Sequence, residues 1–357
     1  MKGLVLAGGY GTRLRPLTFT GNKHMIPVAN QPILFYGLRQ LARAGIRDVA
    51  VILGPIREGI CESVGDGHEF GLNVTYIEQG HPRGLAHAVL CARAFLGEDP
   101  FVMYLGDNLL EHGVTQFVDL FNAESADAVI GVTPVADPQR YGVVQMSGSE
   151  IVSIEEKPRN PQSNLALVGI YVFSRKIHPI ISALTPSARG ELEITDAIRL
   201  MHRAGGKLRV QRVFGWWKDT GAPEDLLEAN DLILDSTPPS EFRRESPVPA
   251  GATLSGPVAI GADSVIEPGV RIDGPVVIGS GVHLAGGTTV GPGTAIGNHV
   301  ELRGCSVRRS IILEATRVSG PVRLRDSLIG RSVDIHTSRP LDHELVLMIG
   351  DASRVRI

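Results

Sequence analysis

Up to about residue 236 the chain alternates short apolar runs with stretches in which apolar positions recur at helical spacing. The runs KGLVLA (2–7), VAVIL (49–53), NVTYI (73–77) and FVMYL (101–105) have the length and β-branched content of buried strands. Between them, residues 31–44 set Ile33, Leu34, Leu38 and Leu41 on one helical face, and 84–96 and 113–123 read the same way. Strand alternating with helix predicts right-handed crossovers and a mainly parallel, Rossmann-like α/β sheet. Residues 142–146, 151–156 and 168–173 are expected to add strands that make the sheet mixed, and helices are expected over 193–203 and 223–235.

The pattern changes after residue 235. DSTPPSEFRRESPVP (235–249) holds four prolines and no periodicity, and reads as a linker. Beyond it an apolar residue recurs every sixth position, at Val248, Leu254, Ile260, Ile266, Ile272, Ile278, Leu284, Val290, Ile296 and Leu302. The phase is expected to slip once and resume at Ile312, Val318 and Leu324. A six-residue period predicts a left-handed parallel β-helix of about five coils, the apolar residue pointing inward. Gly261, Gly279, Gly291 and Gly297, each directly after an inward position, are expected to permit the corners. The expected domains are 1–235, a linker over 236–247, and the β-helix over 248–357. The closing LVLMIGDASRVRI is either a last coil or a strand docked on a neighbour.

Composition narrows the function classes. The chain has 357 residues, 43% hydrophobic and 20% charged, with a net charge of −3. That balance gives no pull toward nucleic acid or an anionic membrane. No apolar run approaches the roughly 20 residues a membrane span needs. Leu4–Ala7 is too short for the apolar core of a signal peptide. The cysteines Cys61, Cys91 and Cys305 are odd in number and far apart, which argues against a disulfide framework or a zinc site. A cytoplasmic protein is expected.

The first strand runs into LAGGYGTRLRPLT. Gly8, Gly9 and Gly11 would let backbone N–H groups approach a phosphate chain without Cβ clashes. The spacing matches neither G-x-G-x-x-G nor G-x-x-x-x-G-K-[ST]. Instead Arg13 follows Gly11 by two residues and Lys23 follows ten residues later, two cations suited to a triphosphate. A tight turn with surface arginines is the alternative. Asp107, in YLGDN, ends a predicted strand, where ligands of open parallel sheets bind, and is a natural Mg²⁺ ligand beside phosphates. Asp219, in WWKDTG, is a second such carboxylate; a plain turn aspartate is the alternative for each. SIEEKP offers Glu155, Glu156 and Lys157, a carboxylate for a sugar hydroxyl and a cation for a sugar phosphate, or simply a solvated face.

Taken together and in order, LAGGYGTRLRPLT, NKHMIPV, QGHPRGLAHAV, LGDN, RYGVV, SIEEKP, VGIYVF, ARGELEITD and WWKDTG resemble the sugar-1-phosphate nucleotidylyltransferases over nearly the whole chain. RYGVV and ARGELEITD narrow the resemblance to the thymidylyltransferase branch acting on glucose-1-phosphate, in its long form with an appended hexapeptide domain. The resemblance implies a nucleotidyltransferase domain that makes dTDP-glucose and pyrophosphate from dTTP and glucose-1-phosphate with Mg²⁺, the first step toward dTDP-deoxysugars. It implies that Arg13 grips the leaving pyrophosphate and Lys23 the phosphates, that Asp107 and Asp219 hold the metal, and that Lys157 binds the sugar phosphate. It further implies nucleotide contacts from Leu6, Ala7, Gly8, Gly9, Gly11, Thr12, Gln79, Gly84 and Asp107, with Gln79 and Gly84 at the base. Tyr141, Gly142, Glu156, Val168 and Gly169 would line the sugar. A homo-oligomer is expected, with no nucleic-acid or membrane partner.

One position departs from many short forms, which carry Gln after the motif lysine where this chain, in NKHMIP as in long forms, has His24. Discrimination at the nucleotide's sugar therefore stays open. So do uridylyl transfer, an acetyltransferase in the β-helix using His283 or His299, and a non-catalytic regulatory subunit. Intact Arg13, Lys23, Asp107, Lys157 and Asp219 argue against the last. Trp216 and Trp217 are expected to pack behind Asp219, and His81, His87, His178, His202 and His343 are given no role.

Overall fold

The computed structural model describes residues 1–357. By contacts the chain forms two compact units, Met1–Tyr10 with Ile33–Asp219, and Gly11–Pro32 with Thr220–Ile357. These limits differ from the expected domain ends, because Gly11–Pro32 and the helix Pro223–Ser236 make their contacts with the β-helix.

The first unit is built on a nine-stranded mixed sheet. Lys2–Ala7 lies at its middle, parallel to Asp48–Leu53 on one side and Phe101–Leu105 on the other. Asn73–Glu78 continues the parallel part. These four are the expected apolar runs; the three central ones are almost entirely buried. Leu165–Phe173 then runs antiparallel to Phe101–Leu105, with all nine residues buried. Its register breaks between Leu167 and Tyr171, at Gly169 with φ 73°. Ala128–Pro134 lies along its other side, and ahead of the break Ala166 pairs, on the edge opposite Ala128–Pro134, with Val143 of Gly142–Ser147, itself paired with Glu150–Glu156. Ala128–Pro134, which pairs with Leu208–Arg212, was not among the expected strands.

The helix expected over 84–96 is two, Leu85–Cys91 and Arg93–Leu96, with the break at Ala92. Ala86, Val89, Ala92 and Leu96 stay buried across it, so the apolar spacing does not betray the break. The helix expected over 31–44 starts at Ile33. Gln31–Pro32 instead closes a two-stranded hairpin with Pro27–Val28 in the second unit, through Ala29 and Asn30 at positive φ, the geometry of a tight two-residue hairpin turn.

The second unit carries three parallel sheets of five, six and six strands, consistent with a left-handed β-helix. In the first coils partners lie three hexads apart, as in Leu254↔Ile272 and Ile260↔Ile278. The inward residues from Ile260 to Ile335 form one continuous core. The expected single slip is in fact several. Val307 fills an inward position five residues from both Leu302 and Ile312, and Ile329 sits five residues after Leu324. The glycine expectation also needs correction. Gly261, Gly279, Gly291 and Gly297 are not at positive φ; a Cβ there would strike the next coil, at 2.6 Å for Gly261, 2.9 Å for Gly291 and 2.8 Å for Gly297. They allow coils to stack closely. Left-handed corners fall in three series: one of glycines, Gly269, Gly287, Gly304 and Gly320; one in which Asp263, His299, Ala315 and Ser332 take positive φ without being glycine; and one through Gly293, Arg309 and Asp326. The tail forms the last coil, Met348–Ile349 and Arg354–Arg356 pairing with the coil before.

Candidate active site

The register break in Leu165–Phe173 places Val168 and Gly169 beside Leu105, at the end of the Phe101–Leu105 strand. A Cβ on Gly169 would lie 2.6 Å from the Leu105 side chain, so a bulge there requires glycine. The Val168 carbonyl accepts from Trp217 Nε1 at 3.1 Å, and the Tyr141 ring stands edge-on to the Trp217 indole at 5.5 Å. Val168 and Tyr141, expected together at the sugar, thus meet at one indole. Trp217 is therefore more than packing behind Asp219.

Glu156 ends its strand with both carboxylate oxygens anchored. Thr195 Oγ1 donates to one at 2.6 Å, and Arg189 Nη2 to the other at 3.1 Å. Arg189 also donates to buried Glu193 from Nε and Nη2, at 3.2 and 2.8 Å. Burial pulls the Arg189 pKa down, but the bond and charge of Glu193 outweigh it, and the net shift is upward. Gly142 belongs to the same cluster: a Cβ there would stand 3.2 Å from Glu156 Oε2 and 3.0 Å from Thr195 Oγ1. Lys157 follows at φ 44°, its N–H donating to the Tyr141 carbonyl at 3.0 Å and its Nζ 4.0 Å from Glu156. A left-handed lysine costs on the order of 1–3 kcal/mol and persists where the surroundings impose it. Sequence reasoning assigned no role to Arg189, Glu193 and Thr195. Their signal was present in ARGELEITD, but only the fold brings that loop to Glu156.

The segments that carry the two candidate metal carboxylates meet in a short ladder. Asn108–Leu110 pairs antiparallel with Trp217–Asp219, setting Asp219 opposite Asn108. Asp107 is the residue before, and accepts from Asn108 Nδ2 at 3.0 Å. Asn108 Oδ1 in turn accepts from Trp217 Nε1 at 2.7 Å. A buried asparagine therefore holds one carboxylate and the strand that carries the other.

At the far side of the first strand, a Cβ on Gly8 would stand 3.0 Å from Gln79 Oε1, and its backbone crosses that of Gly54 in close contact. Gln79 Nε2 donates to the Gly84 carbonyl at 3.1 Å. Gly84, at φ 99°, lies against the Leu192 backbone, where a Cβ would come within 2.5 Å. Leu6, Ala7 and Gly9 belong to this same strand end.

Gly11, Thr12, Arg13 and Lys23 fall in the other unit. Gly11 at φ 62° opens the turn Thr12–Leu14, and its carbonyl accepts from Thr18 Oγ1 at 2.8 Å. A Cβ on Gly11 would stand 3.0 Å from Lys23 Cβ, and one on Gly221 2.7 Å from Arg13 Nη2. Glycines thus bring the two cations' chain segments together. Asn22 caps the Lys23–Met25 turn by accepting from the His24 N–H at 2.8 Å, and His24 Nδ1 lies 2.6 Å from the same oxygen. His24 is buried within its own turn. In the β-helix, His283 Nε2 is 2.7 Å from Glu267 and His299 occupies a corner.

Residues 2–236 match the nucleotidyl transferase family. The chain is 45% identical to a glucose-1-phosphate thymidylyltransferase of Streptomyces griseus, over 100% of this chain and 99% of that one. It is 43% identical, over the full length of both, to the low-salt glycan biosynthesis nucleotidyltransferase Agl11 of Haloferax volcanii. Among solved structures it resembles a Bacillus anthracis protein assigned as a glucose-1-phosphate thymidylyltransferase, in complex with a sucrose. The TM-score is 0.62 at 38% identity, covering 65% of this chain and 94% of that one. A UDP-glucose pyrophosphorylase bound to UDP-glucose is similar with a TM-score of 0.60 at 26% identity, covering 66% of this chain and 99% of that one. The match over residues 2–236 and the full-length identity of 45% show that the chain, with its mixed α/β sheet, belongs to the nucleotidyl transferase family.

Proposed function

We propose that the chain transfers a thymidylyl group from dTTP to glucose-1-phosphate. An oxygen of the sugar phosphate attacks the α-phosphorus, and the bond to the bridging oxygen of the leaving pyrophosphate breaks in line with it. Two anions must meet, so positioning and charge neutralisation carry the rate. Lys157 binds the sugar phosphate, and Arg189, its charge met by Glu156 and Glu193, holds Glu156 in place. Glu156, both oxygens anchored, accepts from a sugar hydroxyl in the room Gly142 leaves; Tyr141, Val168 and Gly169 bound the sugar. Leu6, Ala7, Gly8 and Gly9 contact base and ribose through backbone, and Gln79 and Gly84 read the base edge. Gly11 and Thr12 follow the phosphates, Lys23 contacts them, and Arg13 takes the charge developing on pyrophosphate.

The observation that carries this reading is the rung that sets Asp219 opposite Asn108, next to Asp107. Two carboxylates so placed fit Mg²⁺, which is held by one or two carboxylates plus substrate phosphates. Bound there, Mg²⁺ would neutralise phosphate charge. Full-length kinship with glucose-1-phosphate thymidylyltransferases supports thymidylyl transfer. The UDP-glucose pyrophosphorylase likeness favours uridylyl transfer as the second reading. Thymine and uracil differ by one methyl, worth only about 1–3 kcal/mol. The test is pyrophosphate release from dTTP and from UTP, each with glucose-1-phosphate and Mg²⁺. A dTTP preference is expected; a UTP preference would favour the second reading, and release from neither would refute both.

A further inference from the structure

His87 stands directly behind Gln79. It is buried, with Nδ1 3.1 Å from Gln79 Nε2. The Gln79 amide nitrogen has two hydrogens. One goes to the Gly84 carbonyl at 3.1 Å, and the other faces His87 Nδ1. With both engaged, Oε1 is the amide atom turned toward Gly8. A carboxamide can rotate by half a turn and exchange its donor for its acceptor, and its neighbours decide which end faces out. We propose that His87 is a specificity-determining positioning residue: its Nδ1 lone pair, with the Gly84 carbonyl, fixes Gln79 with Oε1 presented to the base. This rests on the reading that Gln79 meets the base.

The consequence is chemical. Thymine and uracil offer an N–H at N3, which Oε1 accepts. Cytosine offers a lone pair at N3, which Oε1 repels and a rotated amide would satisfy. His87 therefore selects the keto pyrimidines without touching them. Two other groups reach the ring: Cys91 Sγ, a weak partner at 4.0 Å from Nδ1 and 3.9 Å from Nε2, and Arg83, the stronger competitor. Arg83 Nη2 lies 2.8 Å from His87 Nε2, and arginine only donates. A neutral imidazole has one lone pair, so it cannot accept from both Arg83 and Gln79. Burial, then the nearby Arg83 charge, lowers the His87 pKa and keeps the ring neutral. Arg83 is exposed and can turn to water at little cost, whereas Gln79 is half-buried and is also held by Gly84. The buried contact prevails.

The test is kcat/KM for dTTP and for dCTP, read as pyrophosphate release with glucose-1-phosphate. His87→Leu should narrow the dTTP:dCTP ratio at least tenfold, by losing dTTP and gaining dCTP. His87→Gln, which can again accept from Gln79, should restore most of the ratio, and Arg83→Ala should leave it unchanged. Gln79→Leu tests the underlying reading. If it leaves the ratio intact, Gln79 does not meet the base and the proposal falls with that reading. If it collapses the ratio but His87→Leu keeps it within twofold, the proposal alone is wrong. A collapse in Arg83→Ala would also overturn it, since Arg83 would then be setting the tautomer. ¹⁵N spectra of the wild-type imidazole need no variant: an unprotonated Nδ1 supports the proposal, and a protonated one contradicts it.

Discussion

The two units use the same residue types to opposite ends. In the α/β unit glycines make room for side chains with chemistry: Gly142 for Glu156 and Thr195, Gly8 for Gln79. In the β-helix, Gly261, Gly279 and Gly297 make room for nothing but the next coil. Buried polar groups divide similarly. Asn108 in the first unit aims at Asp107 and the Asp219 strand. Ser246, Ser264 and Ser327 in the second each accept from a backbone N–H on the following coil, at 2.9–3.1 Å. One unit spends its irregularities on a site, the other on repetition.

The exception sits in the second unit. Gly11–Pro32, with Arg13 and Lys23, is stitched to the β-helix. Fully buried Asn230, on the helix Pro223–Ser236, accepts from the Ala29 N–H at 2.9 Å and donates to the Gly293 carbonyl at 2.8 Å. Asn30 Nδ2 donates to the Ile296 carbonyl at 2.7 Å, and Thr20 to Asp351 at 2.7 Å. Arg309 pairs Asp231 of the same helix with Asp326 of a coil, at 2.6 and 2.7 Å. The segment that carries two candidate phosphate ligands thus has the β-helix as its foundation.

Perturbations of each unit should therefore differ in kind. The largest effect is expected from Lys23→Ala, which should lower kcat by roughly 100-fold or more while the circular dichroism spectrum stays native; wild-type turnover would remove Lys23 from the site. Leu302→Ala, at an inward position with no exposure, should cost about 2–5 kcal/mol of stability, seen in urea unfolding followed by circular dichroism. Asn230→Ala leaves one N–H and one carbonyl without their partner, each worth about 1–3 kcal/mol if it stays buried. It should also lower kcat more than it raises KM, because Lys23 and Arg13 lose their foundation; unchanged kcat would mean the stitch only stabilises.

The smallest effect distinguishes the units by pH. His178 is buried in the α/β unit with neither ring nitrogen hydrogen-bonded, and burial, then the Arg93 charge, holds its pKa below the ordinary 6.5. His87 shifts the same way. Both stay neutral in the folded state where the unfolded chain already takes up protons. Their stability is therefore full above 6.5 and lost as the pH falls from there through the depressed folded values. Both tryptophans, Trp216 and Trp217, lie in this unit, so their fluorescence in urea should report an earlier transition at pH 5.5 than at 7.5. His178→Leu should flatten that dependence; an unchanged slope would assign it to other groups.

Legibility in the sequence follows the same division. The β-helix core could be counted off by sixes, because each inward residue obeys a local rule. The count failed where corners shorten, at Val307 and Ile329, since a lost corner residue leaves no mark on hydrophobicity. The parallel strands were legible as apolar runs. Glu156 and Lys157 were legible as types, but not that Thr195 and Arg189 anchor Glu156, because those contacts join residues 39 and 33 positions apart. Asn230 and His87 looked like ordinary helix residues. What a buried polar residue faces is a property of the fold.

The account stands most directly on the Asp107 and Asp219 pair acting as one unit. The decisive measurement is a double-mutant cycle on pyrophosphate release from dTTP and glucose-1-phosphate with Asp107→Asn, Asp219→Asn and the combination. If both serve one metal, each single variant should be severely impaired and the double variant no worse than the poorer single within about threefold. Losses that multiply would contradict it, showing two carboxylates that work independently.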